Sequence, residues 1–266
     1  SDAEQSVSTQ LLSFDSDGFS IGNSGSHNQN GETYVAWCWK AGGPAVSNTD
    51  GSITSQVSVN QDAGFSIVTY TSTGSNTATE TVGHGLNKTP NMIILKNRNA
   101  AVNWRVYHSS INDAGKNSVT LNSSEAAYVF WPSVGSDTFG LANSTTTGQA
   151  AGTGNQDIVA YCWTEIEGYS KFGSYVGNAS ADGTFVYCGF KPAFVITKRT
   201  DGTSNWLIHD SSRDPINPVM GALYANNSTA EGSAVRVDFV SNGFKHRNAD
   251  GGTANNYAND YIFIAF

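Results

Sequence analysis

The chain is poor in three things, and each shortage excludes something. It has three cysteines in 266 residues, too few for a disulfide framework. It has only 14 lysines and arginines against 22 acids, a formal net charge of −8. That balance argues against nucleic acid as a partner, because phosphates are met by clustered cations. Nowhere does an apolar run approach the roughly 18 residues of a membrane helix, so no membrane insertion is expected. No sustained stretch shows the i, i+3, i+4, i+7 apolar spacing of an amphipathic helix. A basic-then-apolar secretory leader is also absent from the opening residues, and the expectation is a piece of a longer polypeptide.

What remains is strand-and-turn language. Short segments rich in Val, Ile, Tyr, Phe and Trp are bounded by Gly, Asn, Asp and Ser, and 28 glycines suit many turns. An all-β chain follows. Three of these segments share one pattern: Tyr34–Trp39, Ile158–Trp163 and Tyr261–Phe266. Around the second and third, further anchors recur in the same order. Pro90-Asn91-Met92-Ile93-Ile94-Leu95-Lys96 answers Pro192-Ala193-Phe194-Val195-Ile196-Thr197-Lys198, and Asn103-Trp104 answers Asn205-Trp206, both 102 residues further on. A period near the size of a small domain, about 100 residues, points to tandem β modules.

The spacing divides the chain into four parts. Residues 1–43 match only the back half of a unit, with Asp17-Gly18-Phe19 standing where Asn242-Gly243-Phe244 stands and Ala3-Glu4 where Ala230-Glu231 does. Residues 44–63 are a connector whose alternating Ile53–Val59 stretch predicts an added edge strand. Residues 64–168 and 169–266 are the two complete units. Within 64–168 the strands expected are 65–70, 79–82, 92–96, 104–108, 118–121, 137–141 and 158–163. Many short strands between turns suggest tandem β-sandwich units, jelly-roll-like in type. The 34–39 ladder is expected to be a core strand like its two counterparts. Cys38 and Cys162 share one place in it and Ala265 takes that place in the third copy, so both thiols read as small, unpaired, buried packing residues.

Candidate chemistry is thin. His209-Asp210-Ser211-Ser212 holds the residue types of a nucleophilic triad, but strand neighbours point to opposite faces, and a triad is defined by geometry. The equivalent of His209 in the other copy is Tyr107. Asp113, Asp210, Asp214 and Glu231 could offer oxygens to a cation, yet no calcium-loop spacing joins them, and solvated turn carboxylates are the ordinary reading. His27 and His246 are isolated, and His84 sits in a Gly-His-Gly turn where exposure is expected. Neither cofactor nor metal is expected, and no catalysis.

Ligand contact is the sharper reading for a small set. Lys96 and Lys198 occupy the same place in both units and are followed by Arg98 and Arg199; the plainer reading is a solvated rim. Asn155 and Asn255 fall in two polar, Gly-rich loops at matching positions, 143–157 and 248–259, and the turn at 110–117 is a third place where contacts are expected. Loops on a scaffold are where function concentrates. The repeated Asn-Trp pairs could offer ring faces to a sugar, although a Trp on an alternating strand is more often core. Six Asn-x-Ser/Thr sequons, at Asn87, Asn122, Asn143, Asn178, Asn226 and Asn227, follow from composition.

Asp15–Ile21, Thr33–Gly43, Gly64–Tyr70, Val82–Leu86, Gly168–Tyr175 and Asp182–Tyr187, taken in order, resemble a family of repeat-containing proteins encoded by tailed bacteriophages, notably those of marine bacteria and cyanobacteria. The resemblance implies a virion structural protein on the exterior surface or tail, assembled in the host cytoplasm beside other virion proteins. It carries no catalytic residues. Three roles are compatible with it: a tail fibre or appendage that contributes to host-surface recognition of a glycan or protein receptor; a ligand-free capsid-decorating or tail-scaffold protein; and a non-catalytic module of a polysaccharide depolymerase. A homo-oligomer is expected, since repeated weak sites gain avidity.

Overall fold

The structure, a computed structural model, describes all residues except 1, 6, 24, 74–79, 112–114, 142–153 and 249–253. The first two strands form a hairpin, β1 (Leu11–Phe14) with β2 (Phe19–Ile21). A seven-stranded sheet follows, in the order β3-β4-β5-β11-β7-β8-β9. Its members are β3 (Val46–Asn48), β4 (Ser55–Asn60), β5 (Phe65–Thr71), β7 (Met92–Asn97), β8 (Arg105–His108), β9 (Ser118–Thr120) and β11 (Asp157–Trp163). The short strands β6 (Thr81–Gly83) and β10 (Thr138–Gly140) pair with each other outside it.

The rest of the chain builds two more sheets. Four strands run β12-β18-β14-β15, comprising β12 (Lys171–Val176), β14 (Phe194–Arg199), β15 (Trp206–Asp210) and β18 (Asp260–Ala265). Three run β13-β17-β16, comprising β13 (Phe185–Tyr187), β16 (Val237–Val240) and β17 (Gly243–His246). Among the described residues every pairing between strands is antiparallel, while Ile53 makes an isolated parallel bridge to Val82. The orders β5-β11-β7-β8 and β12-β18-β14-β15 place strands of matching sequence in matching positions.

Alternation explains how these sheets stack, because successive side chains on a strand leave by opposite faces. One face of the seven-stranded sheet presents Val68, Tyr70, Ile93, Leu95, Ile158 and Ala160, which pack with Val82 and Phe139 of β6–β10. Its other face presents Phe65, Met92, Val106 and Trp163, which pack with Phe172, Trp206, Ile262 and Ile264 of the four-stranded sheet. The far face of that sheet, with Tyr175, Val195, Tyr261 and Phe263, meets Val186, Phe239 and Phe244 of β13-β17-β16. Four β layers result, β-sandwich-like in build. Each large apolar side chain sealed in them contributes about 1.5–3 kcal/mol.

The long ladder departs from expectation. Tyr34–Trp39 is no strand, although its counterparts are β11 and β18. The segment crosses the edge of the inter-sheet core as a strap. Trp39 meets Trp163 at a centroid distance of 6.1 Å and Phe266 at 5.4 Å, while Trp37 meets Phe194 at 5.3 Å. Intrinsic β preference needs neighbouring strands to be realised, and no strand flanks this stretch. Cys38 is consequently exposed, against the expectation of a buried packing residue, while Cys162 and Cys188 are buried. The connector strand also differs: β4 is not an edge, since β3 pairs along its outer side.

Candidate functional site

Five of the six expected ligand residues gather at corresponding ends of the two large sheets. Lys96 lies near the end of β7 and Arg98 just past it, and Asn155 precedes β11; Lys198 and Arg199 close β14. Asn255 stands apart, bonded to the 178–184 and 248 segments. Of the expected loops, residues 112–114 of the turn at 110–117 (Asp113 among them), 143–153 of the 143–157 loop and 249–253 of the 248–259 loop lie outside the described residues.

The lysines are not a solvated rim. Lys96 is 5% exposed and Lys198 fully buried, because both lie on the face that looks toward the other sheet, two positions after Ile94 and Ile196. Lys96 Nζ donates to the Ala100 and Val102 carbonyls, each at 2.9 Å, pinning the β7–β8 turn. Lys198 Nζ donates to the Arg199 carbonyl at 2.8 Å and to the Ser124 carbonyl, in the segment that follows β9, at 3.3 Å. Burial opposes its charge and lowers its pKa to about 8, with the Arg199 cation adding to the effect. The arginines are half-buried and paired, Arg98 Nε with Glu4 at 2.6 Å and Arg199 Nε with Asp201 at 2.7 Å.

The two asparagines part company. Asn155 is exposed, in the left-handed backbone region at φ 48°, with its N–H donated to the Ser72 carbonyl at 2.8 Å. Asn255 is 1% exposed. Its Nδ2 donates to Asn178 Oδ1 and to the Ser180 and Asn248 carbonyls, and its Oδ1 accepts from the Asn178 N–H. It is a clamp between loops.

Beside Lys96 and Arg98 lies a groove of about 420 Å³, floored by Thr69, Val159 and Tyr161 and walled by Trp104 and the Asp2–Glu4 segment. Trp104 is half-buried there, whereas its counterpart Trp206 is completely buried. The Asn-Trp pairs have a local reason to recur. Asn122 accepts the Trp104 N–H and donates to Asn103, and Asn226 does the same for Trp206 and Asn205. Two sequon asparagines thus hold strand ends.

The other candidates resolve into packing. His84 is completely buried, contrary to its turn context, with Nδ1 accepting the Leu86 N–H and Nε2 meeting the Gly135 carbonyl at 3.2 Å. His108 Nε2 reaches the Phe263 carbonyl at 3.2 Å, and His209 Nε2 the Val235 carbonyl at 3.4 Å. Burial lowers both to about 4 and His246, set among Tyr175 and Phe244, to about 3. Asp210 is a buried carboxylate, not a solvated one. It binds Arg213 at 2.6 Å and accepts the Trp37 indole N–H at 3.2 Å. Trp37 and Arg213 carried no sequence signal for this role beyond their proximity to aromatic and acidic neighbours. Among the described residues no group of three or more His, Cys, Asp or Glu could hold a metal ion.

Comparison with known proteins gives one match. All of residues 1–266 match the model of a family described as a domain of unknown function, DUF7483. No curated protein and no solved structure matches the chain.

Proposed function

The chain belongs to that family, and from this premise we propose that it is a structural protein of a bacteriophage virion, a tail-fibre or surface-appendage segment built of tandem β-sandwich units. The observation that carries the proposal is how the ionisable groups of the interior are used. Lys96, Lys198, His108 and His209 are each directed at backbone carbonyls of neighbouring strands and loops. Such groups tie segments together, which supports a structural role; the virion assignment itself is supported by the resemblance carried by Asp15–Ile21, Thr33–Gly43 and Gly64–Tyr70.

Host-surface contact in this reading belongs to the sheet ends, where Arg98 and Asn155 are accessible, and to the loops beside them. Other virion proteins are its partners, and copies in a homo-oligomer raise the avidity of weak contacts. The ligand-free scaffold role is the second reading, favoured by the saturation of Lys198 and Asn255. Two measurements test these. Antibodies raised against the chain should decorate tails or fibres of intact particles; unlabelled particles sink the virion assignment. A glycan array probed with wild-type and Arg98→Ala, Asn155→Ala protein should show saturable binding that the variants lose; no binding leaves the scaffold reading.

A further inference from the structure

One contact occurs twice between successive parts of the chain. The Glu4 N–H donates to the Arg98 carbonyl at 2.7 Å, and the Ala127 N–H donates to the Thr200 carbonyl at 2.7 Å. Arg98 and Thr200 are counterparts, both two residues past the buried lysine. So are Glu4 and Ala127, each in the segment that leads to a hairpin of the back half. The first part therefore docks on the second as the second docks on the third. Around the second contact, the Ser124 carbonyl also accepts from the Ser204 N–H at 2.8 Å, and Trp206 Nε1 donates to the Thr120 carbonyl at 2.8 Å.

The third part carries the same donor edge. Asn226 matches Asn122 in both its hydrogen bonds. Counting from it, Glu231 stands at the place of Ala127, Ser228 at that of Ser124 and Tyr224 at that of Thr120. Ser228 through Glu231 are exposed. The arrangement also curls back, because Trp37 and Trp39 of the first part touch Asp210, Phe194 and Phe266 of the third. An apolar concavity of about 200 Å³ lies there, lined in part by Trp37, Trp39, Ile208 and Ala225. Head-to-tail contacts form a ring where their rotation closes and an open filament where it does not, and here the first part already meets the third.

The first part shows what would close this one. Its hairpin β1–β2 exposes Phe14 at 84% and Leu12 at 57%, and Tyr34 is exposed at 52%. The matching hairpin β16–β17 hides Phe239 and Phe244 at 2% and 0%, because β13 pairs along β17 and the four-stranded sheet lies beneath. We propose that the described residues of 2–40, together with Tyr224–Glu231, form a docking surface for the front half of a further β unit of this chain's own type. That occupant carries a lysine strand whose end takes the Glu231 N–H, and an Asn-Trp strand whose indole reaches the Tyr224 carbonyl. It takes Tyr34–Trp39 as its central strand, covers Phe14 and Phe19, and encloses the half-buried Trp104. The inference is independent of the virion reading.

The test uses the full chain and, as probe, a copy of its own residues 64–122 fused ahead of Asp2, so that the probe is never free in solution. Hydrogen exchange is read by residue. Amides of Glu231, Phe14, Phe19 and Tyr34–Trp39 should slow roughly tenfold or more, toward the rates of their buried counterparts. The same probe carrying the change Trp104→Ala should protect less. Unchanged exchange at Glu231 and in the β1–β2 hairpin, in a fusion that stays monomeric by size-exclusion chromatography, overturns the proposal.

Discussion

Trp206 of the four-stranded sheet donates its indole N–H to the Thr120 carbonyl of the seven-stranded sheet at 2.8 Å, and it is completely buried. The two sheets are thus joined by a directed bond inside an apolar contact. Replacing Trp206 with Phe leaves the Thr120 carbonyl only the longer 3.4 Å bond from the Ser123 N–H and opens a cavity, so urea unfolding should lose about 2–4 kcal/mol. Trp104→Phe, at the half-buried counterpart, should cost less than about 1 kcal/mol. Equal losses at the two sites would contradict the asymmetry.

Acid should unfold the protein well before its carboxylates titrate. His108, His209 and His246 are held neutral, with pKa lowered to about 4, 4 and 3 against 6.5. A depressed histidine contributes its stability in full above the unfolded value and loses it as pH falls toward the folded one. Melting temperature should therefore fall steeply from about pH 6.5 to about pH 4. His246→Phe should shallow that slope, and thermal melts across the range provide the check.

Lys198 predicts an opposite trend on the alkaline side. Its folded pKa of about 8 lies below the ordinary 10.5, so the unfolded chain holds the proton more tightly. Stability from this residue rises as pH climbs through 8 toward 10.5. Between pH 8 and 9.5 the Cys162 and Cys188 thiols, raised to about 12 in the fold, work against this as their unfolded forms ionise, so the wild-type melting temperature should hold where that of Lys198→Met falls. Parallel profiles for the two proteins would assign the effect elsewhere.

The thiols should separate cleanly. A disulfide-exchange reagent should modify Cys38 within the native protein, because it is exposed. Cys162 and Cys188 are buried, and burial raises both thiols to about 12. Titration should count one reactive thiol before unfolding and three after it. Two fast thiols in the native protein would contradict the placement of Cys162 or Cys188.

Sequence and structure agree most where a strand's partners lie within the same stretch. The expected strands at 65–70, 92–96 and 158–163 appear as β5, β7 and β11, since period-2 alternation and turn residues are local signals. Tyr34–Trp39 carries the same signal and forms no strand, because what it lacks is a neighbour and not a propensity. Lys96 and Lys198 misled for a related reason. Each alternates in phase with isoleucine, on a face that alternation marks but cannot show to be covered. The covering layer comes from about a hundred residues away. His84 and Asp210 were hidden likewise, their burial depending on Gly135 and Trp37. The candidate site was legible as residue types at repeated positions and illegible as geometry.

The core shared by the two large sheets has a bearing on proteolysis. The chain crosses from one sheet to the other through the short 164–170 stretch, yet cohesion comes from Trp163, Phe172, Trp206, Ile264 and their neighbours across the gap. A single cut in that connector would sever the polypeptide without separating its products. Gel electrophoresis in detergent would show two fragments where size-exclusion chromatography shows one particle. Either fragment made alone would expose an apolar sheet face, a recipe for aggregation. The molecule can survive being nicked far better than it can survive being divided.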